Sequence, residues 1–431
     1  MTWDTLNRTH VEIASESRLR LLFLNNFYPP VRSGGYAQLC QEVAQGLQAR
    51  GHEVTILTSN HQSRQAALDR TEIYRKLHLE MDLNYYRRSD LFLHQDRRRR
   101  QNLAILQQVI DVYQPDVLLI WSLWALSKSL AMQAEQRLPD RTAYYLAGYW
   151  PVSEDEHRAF WRRPARRSYL RPLKRVLGRF ALRKLATAVE PGPEFRRVMC
   201  VSASLKDSLI NAGLPIDDAQ VVYNGVDPDV FHPVSEESPV DLRDGNFKLL
   251  YAGQVADHKG VHTAIQALDR LVNKRNFTGV HLTILGSGHP DYAAFLHRMV
   301  DEARLTKYVE FQQPIPREGM PAMLRCFDGL IFPSIYAEPL ARINQEAMSC
   351  ELVVIATNTG GTQELISDGK NGLFVPPEDA DGLADWIERL AADVELRNRL
   401  AKAGRQTILE RFTMKRMLDE VEAYLYGVVS P

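Results

Sequence analysis

Short apolar runs recur along the whole sequence, and segments of helical pattern separate them. Residues 19–24 form the first such run, and residues 330–332 show the same pattern in the second half of the chain. Strands that are covered on both faces of a parallel sheet are nearly continuous in apolar residues, whereas half-exposed strands alternate. Strands that alternate with helices in this way predict a doubly wound α/β fold.

The order of the remaining runs extends this prediction to the rest of the chain. Strands are predicted at 54–57, 117–121, 143–146, 199–201, 221–223, 248–252, 281–285, 309–312 and 352–355. Helices are predicted at 37–50, 204–211, 261–272, 290–303 and 318–325, and residues 380–428 are predicted to be largely helical. Residues 64–113 are polar and rich in arginine, which predicts a helical excursion with solvated faces.

Composition limits the class of protein. The chain has 431 residues, which suits two domains better than one. Basic and acidic residues both number 53, so net charge does not indicate a nucleic-acid partner. The four cysteines lie apart without a C-x-x-C pair, which predicts buried thiols in a reducing compartment. Since neither a signal-peptide pattern nor an apolar run of about 18 residues is present, we expect a cytoplasmic protein.

Two glutamates follow the strand predicted at 330–332. We expect a helix to begin near Pro339, because proline suits a first helical turn, with Glu338 just before it and Glu346 inside it. Eight steps along a helix rise about 12 Å and return to within roughly 80° of the same face. Carboxylates accept strong hydrogen bonds from sugar hydroxyls, and amides at a helix start favour phosphate. The spacing alone favours two solvated helix glutamates.

Residues 338–348, EPLARINQEAM, resemble the Glu-x7-Glu signature of the retaining GT-B glycosyltransferases of family 4. That family includes sucrose-phosphate synthase-like and mannosyltransferase enzymes. The resemblance implies that Glu338 faces the transferred sugar and that Glu346 holds the ribose. The family's usual aromatic-glycine pair is replaced by Leu340 and Ala341, which keeps a backbone amide but adds a methyl group near the donor sugar.

The resemblance also implies an architecture. It is an α/β fold of the GT-B type, with two Rossmann-like doubly wound domains facing a cleft and a C-terminal helix crossing back. Residues 1–223 would form the acceptor-side domain, 224–245 the hinge, 246–410 the nucleotide-sugar domain, and 411–431 the returning helix. The hinge contains the triplet 227–229, DPD, which also spells the metal motif of a different glycosyltransferase fold. We interpret it as part of the linker, and the similar DAD at 379–381 as an acid-rich helix start.

Two glycine-rich loops resemble the family's phosphate-binding loops. Residues 253–260 resemble its GRLxxxKG loop, in which Lys259 matches the lysine that meets the donor diphosphate. The loop's arginine is replaced by Gln254, so Lys259 would carry most of the charge neutralisation, helped by backbone amides and Arg342. Gly34 and Gly35 precede a predicted helix in a YPPxxGG-like loop, where glycines allow amides to approach an anion.

Further segments complete the implied site. Gln313 and Ile315 lie in a loop where the family holds the base by backbone contacts. Residues 360–364 resemble its GGxxE segment, in which the glycines allow close packing and Glu364 would form capping or cleft hydrogen bonds. Many relatives place a histidine after a middle strand of the first domain, but residues 144–151, YYLAGYWP, contain none, and His157 matches poorly.

Residues 158–184 contain eleven lysines and arginines and no acidic residue, with apolar residues interleaved. Three interpretations stay open for this basic segment. Its long side chains could cover the domain, or it could meet an anionic membrane surface or a phosphate-bearing acceptor. RNA is less favoured because the segment lacks the aromatic spacing that stacks bases.

These observations predict a retaining, metal-independent hexosyltransferase that moves a sugar from a UDP- or GDP-sugar to a hydroxyl acceptor, in polysaccharide, glycolipid or glycoconjugate biosynthesis. The nucleotide sugar is a substrate and no cofactor, metal or nucleic acid is expected. A lipid-linked acceptor and peripheral contact with the inner face of a membrane are further expectations. The predicted catalytic residues are Glu338 and Lys259, and the predicted donor-binding residues are Gly34, Gly35, Gly253, Gln254, Lys259, Gln313, Ile315, Leu340, Ala341, Arg342 and Glu346.

Two alternatives stay open at this point. A sugar-nucleotide 2-epimerase of the same fold would need no acceptor. A non-catalytic sugar-nucleotide sensor or scaffold is suggested by Gln254, Ala341 and the histidine that residues 144–151 lack.

Overall fold

The computed structural model describes residues 18–31, 34–61, 72–80, 94–153, 156–165, 171–187, 192–234 and 246–430. Contacts divide these residues into two compact units. The first takes the described residues within Met1–Ala143, Asp155–Glu194 and Gly427–Pro431. The second takes those within Tyr144–Glu154 and Phe195–Tyr426. The predicted domain boundaries and the return of the last helix stay predictions.

The described strands form two sheets in which the registered pairs are parallel. The strands of the first sheet are β1 Arg20–Asn25, β2 Glu53–Ser59, β3 Ile73–Leu77, β4 Val117–Ser122, β5 Thr142–Leu146, β6 Val198–Cys200 and β7 Gln220–Val221. Its order is β3-β2-β1-β4-β5-β6-β7. In β1, Leu21 pairs with Val54 of β2 and with Val117 of β4, and all three side chains are buried. The apolar runs therefore form central strands, as predicted.

The helices described before β6 follow the expected alternation. They are α1 Gly35–Ala49, α2 Gln95–Tyr113, α3 Ser129–Arg137, α4 Glu156–Arg162 and α5 Arg171–Thr187. The helical excursion predicted over 64–113 is confirmed at α2, but the prediction is wrong at β3, which lies in the same span and pairs with β2. Arg75 of β3 donates to the carbonyl oxygens of Tyr28 (2.9 Å) and Pro29 (2.5 Å), so long-range bonds help to hold a strand whose sequence, IYRKL, includes two basic residues. Residues 64–71 and 81–93 of this excursion lie outside the described part.

The second sheet has the order β10-β9-β8-β11-β12-β13. Its strands are β8 Phe247–Ala252, β9 Val280–Leu285, β10 Val309–Gln312, β11 Gly329–Phe332, β12 Val353–Thr357 and β13 Leu373–Val375. The order reverses between β8 and β11, which pair in parallel through Leu249 and Gly329. Open α/β sheets bind ligands beyond the carboxyl ends of the strands at such a reversal. We therefore expect a ligand-binding site at the loops that follow β8 and β11.

The helices from residue 203 onwards surround these strands. They are α6 Ala203–Asn211, α7 Val261–Asp269, α8 Pro290–Glu302, α9 Met320–Leu324, α10 Arg342–Ser349, α11 Thr362–Leu365, α12 Ala380–Ala392, α13 Val394–Arg411 and α14 Met414–Val429. The helix predicted over 261–272 changes at Arg270–Lys274 into a single π-helical segment. Buried side chains of the second sheet and its helices, among them Leu249, Leu282 and Ile355, pack into one hydrophobic core.

The last helix contacts the segment that follows β7. Arg416 of α14 donates from Nη2 to the carbonyl oxygen of Tyr223 (2.6 Å). Val226 donates to the carbonyl oxygen of Phe412 (2.9 Å) and accepts from the amide of Met414 (2.8 Å). These bonds attach the first part of the predicted hinge to the start of α14, whereas residues 235–245 of that hinge lie outside the described part.

Two further sequence predictions can be compared with the described residues. Cys40, Cys200 and Cys350 are buried, but Cys326 is exposed, so the prediction of four buried thiols is wrong at that position. Cys326 lies just beyond the short helix α9, where its thiol still reaches the carbonyl oxygen of Ala322 (3.3 Å). Every helix in the described ranges is too short or too polar to cross a bilayer.

Candidate functional site

Glu338 and Lys259 form an ion pair between the loops that follow β11 and β8. Nζ of Lys259 donates to Oε1 of Glu338, and Oγ of Ser334 donates to the same oxygen at 3.2 Å. The side chains of Lys259 and Glu338 keep 18% and 12% of their exposure. Because the two loops come from neighbouring strands at the reversal of strand order, the pair lies where this kind of sheet binds ligands.

The loop that carries Glu338 is not the start of a helix, so the prediction that α10 begins near Pro339 is wrong. The helix begins at Arg342, and Ala341 before it is extended. The carbonyl oxygen of Pro339 accepts from Oγ of Ser202 (2.6 Å), and that of Leu340 accepts from Nδ2 of Asn224 (3.1 Å). These long-range bonds use carbonyl groups that a helical turn would need, so the geometry of eight helical steps does not apply to the two glutamates.

Backbone packing positions Lys259. The residue ends a short 3-10 turn, Asp257–Lys259, and Gly260 follows with a φ of 67°. A Cβ at Gly260 would lie 1.9 Å from the carbonyl oxygen of Pro333, so only glycine fits this contact. The amides of Ile335 and Tyr336 both donate to the carbonyl oxygen of His258, at 3.0 and 3.1 Å. The loops after β8 and β11 thus hold each other through main-chain atoms.

Gly360 and Gly361 support the Glu338 loop from the other side. The amide of Gly361 donates to the carbonyl oxygen of Glu338 at 2.8 Å. A Cβ at Gly360 would lie 2.2 Å from that same oxygen, and one at Gly361 would lie 1.9 Å from the carbonyl oxygen of Pro339. The close packing that the sequence predicted for the two glycines is therefore present.

Glu346 lies inside α10, and its side chain is only 5% exposed. Nη1 of Arg317 lies 2.5 Å from Oε1 of Glu346, and Nε of Arg342 lies 3.8 Å from the same oxygen. The guanidinium of Arg317 also lies over the ring of Phe231, 4.6 Å from its centroid. Two arginines therefore orient this carboxylate, whereas a lysine and a serine orient Glu338.

Sequence reasoning missed Arg317, although it follows directly after the predicted base-binding loop. In that loop Gln313 is exposed and Ile315 is half-buried, with its Cδ1 3.5 Å from the position of a Cβ on Gly319. The position of this arginine beside a loop predicted to bind a nucleotide was the signal in the sequence that could have identified it. The ion pair with Glu346 gives this side chain a place in the candidate site.

Tyr149 and Tyr336 are the second pair that sequence reasoning missed. Tyr149 donates from its hydroxyl to the carbonyl oxygen of Ala337 (3.0 Å), and its ring meets that of Tyr336 edge-on at 5.6 Å. Nζ of Lys259 lies 5.6 Å from the centroid of Tyr336. Burial, with the nearby charge of Glu338, raises the pKa of Tyr149 above its usual value, so its hydroxyl remains a donor at neutral pH. Tyr149 lies in the YYLAGYWP segment, in which the sequence lacks the histidine of many relatives.

The remaining predicted positions occupy distinct places. The carbonyl oxygen of Gln254 accepts from the hydroxyl of Tyr251 (2.6 Å), which shapes the loop after β8. A Cβ at Gly286 would lie 1.9 Å from the carbonyl oxygen of Gly253, so the loops after β8 and β9 also touch. Leu340 is buried, and Ala341 is half-buried at the N-cap of α10.

Gly34 and Gly35 belong to the first unit. Gly34 is the N-cap of α1 with a φ of 87°, and Gly35 is the first residue of that helix. A Cβ on Gly34 would have nothing within 4 Å, so its backbone conformation, rather than crowding, favours glycine. The side chain of His157 lies outside the described part.

Three acidic residues accept hydrogen bonds from main-chain amides. The carboxylate of Glu364 accepts from the amides of Ala203 (2.9 Å) and Ser204 (2.8 Å), which confirms the predicted capping role, at the start of α6. Asp379 caps α12 by accepting from the amide of Gly382 (2.9 Å), as the interpretation of a helix start predicted. Asp227 accepts from the amide of Asp229 (2.9 Å). That carboxylate closes a local turn in the linker.

Comparison with known proteins places these observations in a family. The sequence matches the family model "Glycosyltransferase Family 4" over residues 33–230 and the model "Glycosyl transferases group 1" over residues 235–407. It is 29% identical over 244 residues to a D-inositol 3-phosphate glycosyltransferase of Paenarthrobacter aurescens, covering 55% of this chain and 59% of that one. It is 31% identical over 216 residues to a glycogen synthase of Mycobacterium tuberculosis, covering 49% of each. The chain thus spans about half to three fifths of these relatives.

Solved structures share the fold. The sucrose-phosphate synthase of Thermosynechococcus elongatus aligns with a TM-score of 0.72 at 19% identity, over 96% of this chain and all of that one. The Anabaena HepE protein, solved in complex with UDP and glucose, aligns with a TM-score of 0.66 at 19% identity, over 95% of this chain and all of that one. At this level of identity the alignments support the architecture of two parallel sheets.

Proposed function

Since the chain belongs to the group 1 glycosyltransferases of family 4 type, we propose that it moves a sugar from a UDP- or GDP-sugar to a hydroxyl acceptor with retention of configuration. The predicted resemblance to that family and the predicted GT-B fold, with two Rossmann-like α/β domains, are confirmed. The ion pair between Lys259 and Glu338 carries the proposal. It places a cation and an acceptor of hydroxyl hydrogen bonds together at the reversal of strand order.

In this proposal Lys259 neutralises charge on the diphosphate. A diphosphate carries more negative charge than a carboxylate, so a bound donor competes with Glu338 for the ammonium group. The bond from the anomeric carbon to the diphosphate breaks in the reaction, and negative charge grows on the leaving oxygen. A cation fixed at that point stabilises the transition state more than the bound substrate.

Glu338, released from Lys259, would accept hydrogen bonds from the sugar hydroxyls. The hydroxyl of Ser334 lies 3.2 Å from Oε1 of Glu338 and equally near the carbonyl oxygen of Tyr336, so it would donate to the carboxylate after the lysine turns to the donor. By family analogy the acceptor attacks from the side of the leaving group, and no covalent intermediate with the enzyme is required. Glu338 is assigned the orientation of the sugar and not the part of a nucleophile.

Glu346 would hold the ribose, and residues 313–316 would hold the base. The two arginines at Glu346 keep its carboxylate in one orientation, which lowers the entropy lost on binding. Gly253 and Gln254 would supply main-chain contacts near the diphosphate, as would Leu340, Ala341 and Arg342 at the start of α10. Gly34 and Gly35, before α1, are also proposed as donor-binding residues, because amides at a helix start bind anions.

The proposal includes transfer without a divalent metal and a cytoplasmic location. It also includes a lipid-linked compound as one candidate acceptor, with the enzyme at the inner face of the membrane. Support for the acceptor is limited to the basic segment of the first unit.

A thermal-shift screen with UDP-, GDP- and ADP-sugars tests the donor. A ligand at 100 times its dissociation constant stabilises a protein by about 2.7 kcal/mol, so one nucleotide class should raise the melting temperature. Lys259→Ala should lose the shift, whereas Lys415→Ala, which alters an exposed pair with Asp419, should keep it. A screen without any shift in the unsubstituted protein would contradict the assignment of the site.

Transfer of label from the donor to cellular acceptors then tests the reaction. The enzyme should yield a labelled product, and Glu338→Gln should yield the same product about a hundredfold more slowly. Epimerised donor without labelled product would favour an epimerase. Donor binding with neither change would favour a non-catalytic sensor.

A further inference from the structure

Helix α5, Arg171–Thr187, presents an exposed apolar stripe. Leu173, Val176, Leu177 and Phe180 are exposed by 57%, 51%, 43% and 66%. Their spacing of three and four residues places them on one side of the helix, within about 100° of arc. Side chains of this size at helical spacing normally lie against a core, so four exposed together need a partner.

A ridge of arginines borders this apolar stripe. Arg175, Arg179 and Arg183 follow one another at intervals of four, and all are exposed. Four-residue spacing puts them in one row next to Val176 and Phe180. The sequence of α5 contains no acidic residue, so within the helix no carboxylate offsets the charge of this row.

The opposite side of the helix packs against α4. A Cβ at Gly178 would lie 3.2 Å from the carbonyl oxygen of Trp161, and Ala181 forms a small buried cluster with Trp161. Lys174 lies with its Nζ 4.0 Å from the ring centroid of Phe160. Contacts with α4 thus fix the rotation of α5, and they leave the apolar stripe directed away from this support.

We propose that the exposed side of α5 docks on an anionic lipid bilayer, with the apolar stripe in the boundary of the acyl chains and the arginine row on lipid phosphates. A helix that combines an apolar face with a basic one lies in the plane of the interface. Anionic lipid attracts basic residues at the surface by about 1 kcal/mol each. The proposal names one partner for the basic segment, for which the sequence left three interpretations open.

The positive charge on the exposed side of α5 favours an anionic membrane over other partners. A second copy of the chain would bring the same arginines towards one another, which like charges oppose. A neutral apolar partner would offer no negative charge to the arginine row. An anionic membrane would bury the apolar stripe in its acyl chains and pair its phosphates with the arginine row. Its fluid surface can adapt to apolar side chains that project from a helix and do not line a groove.

Flotation of the full-length protein with vesicles tests the proposal. Vesicles of phosphatidylcholine with about one third phosphatidylglycerol should bind the protein, pure phosphatidylcholine should bind it far less, and added salt should release it. The pair Arg175→Gln and Arg179→Gln should lower the partition coefficient about 25-fold, the product of about fivefold for each charge. Equal binding to both vesicles, or binding to neither, would overturn the proposal.

A matched control separates position from charge. Arg97 and Arg100 on α2 are also exposed arginines of the first unit within a basic run. The pair Arg97→Gln and Arg100→Gln removes the same charge but does not border the apolar stripe of α5. This variant should bind anionic vesicles within about threefold of the unsubstituted protein, since distant charge contributes little. Equal loss in both pairs would overturn the assignment to α5.

An environment-sensitive dye tests insertion of the apolar stripe. In a Cys326→Ser background, which removes the exposed thiol, Phe180→Cys and Val112→Cys each offer one exposed label site. Val112 on α2 is 78% exposed and serves as the control. The dye at 180 should shift to the blue with anionic vesicles, and the dye at 112 should not. A shift at neither position would overturn insertion.

Two variants distinguish a membrane from a protein partner. Leu177→Ser with Phe180→Ser keeps the arginines and should lower vesicle binding about tenfold. If light scattering instead shows a dimer that this variant abolishes, while vesicle binding is unchanged, the stripe is a protein interface and the proposal fails. Donor binding in the thermal-shift screen should be unchanged in these variants, so loss of docking and failure of the proposed enzyme activity remain distinguishable.

Discussion

Arg317 places Nη1 2.5 Å from Oε1 of Glu346 while its guanidinium covers the ring of Phe231. The arginine comes from the turn after β10, the glutamate from α10, and the phenylalanine from the segment after β7. One side chain therefore joins three separate parts of the second unit. The predicted ribose-binding carboxylate depends on this arginine for its orientation.

Glu346→Ala should lower both the free energy of unfolding and the affinity for the donor. The loss of unfolding free energy should be about 3 kcal/mol, because the change leaves two nearly buried arginines without their carboxylate. Chemical denaturation and calorimetric titration with the donor measure the two effects. Glu388→Ala is the matched control, since Glu388 pairs with Arg275 at 2.8 Å but is 42% exposed, and it should cost below about 1 kcal/mol. Equal effects of the two substitutions would contradict the assigned role of Glu346.

Glu338→Gln should reduce kcat more than donor affinity. The amide keeps the size of the carboxylate but removes its charge, so it accepts weaker hydrogen bonds from the sugar. We expect kcat to fall about a hundredfold, the scale reported for loss of one electrostatic contact to the transition state, with a donor dissociation constant within about threefold. Steady-state kinetics with a donor titration provides both values. Small and equal changes in the two would remove Glu338 from the reaction.

Tyr149→Phe should weaken the support of the Glu338 loop. It deletes the hydroxyl that donates to Ala337, a bond worth about 1 kcal/mol, and kcat should fall about fivefold. Tyr113→Phe removes a similar bond, to the carbonyl oxygen of Glu53 at 3.0 Å in the first unit. The control should lose similar stability and keep its kcat. If Tyr149→Phe lowers only the melting temperature, its role is structural.

Gly260→Ala should reduce activity and stability more than Gly213→Ala. Both glycines have a positive φ, of 67° and 90°, so both substitutions strain the backbone. Only at Gly260 would the new Cβ meet Pro333, whereas nothing lies within 4 Å at Gly213. We expect Gly213→Ala to cost about 1 kcal/mol and Gly260→Ala to cost clearly more, with loss of donor binding. Thermal unfolding and the donor screen compare the two variants. Similar results would show that the close contact between the loops after β8 and β11 is not required for stability or donor binding.

Activity should persist in EDTA. Within the described residues, no group of three or more His, Cys, Asp or Glu side chains is placed to hold a metal ion, and the proposal gives neutralisation of the diphosphate to Lys259. Turnover is compared before and after chelation, with manganese added back. Complete loss that manganese restores would require a metal in the mechanism.

The fold was predictable where burial decides the structure. Central strands such as β1 and β11 are apolar on both faces, so short runs identify them to within about two residues. β3 was missed because its pairing with β2 and the bonds of Arg75 hold it, and neither is visible in a window of sequence. The π-helical segment at Arg270–Lys274 was likewise hidden inside a continuous helical pattern.

The site was predictable where a motif carries it and unpredictable where distant residues shape it. Lys259 and Glu338, 79 positions apart, form an ion pair, and the resemblance had assigned both residues to the donor site. The start of α10 was misplaced because Ser202 and Asn224 bind the carbonyl groups of Pro339 and Leu340. Arg317 and Tyr149 were missed for the same reason, since their parts depend on contacts far along the chain.

The main-chain contacts around Glu338 have a consequence for the divergence of such enzymes. Gly361 binds the carbonyl oxygen of Glu338, Ser202 binds that of Pro339, and Asn224 binds that of Leu340. In each of these bonds the loop contributes a main-chain carbonyl oxygen, an atom that every amino acid possesses. Side chains at 340 and 341 can therefore be exchanged during evolution while the carboxylate stays in register. Substitution at these two positions therefore leaves intact the main-chain hydrogen bonds that hold the loop.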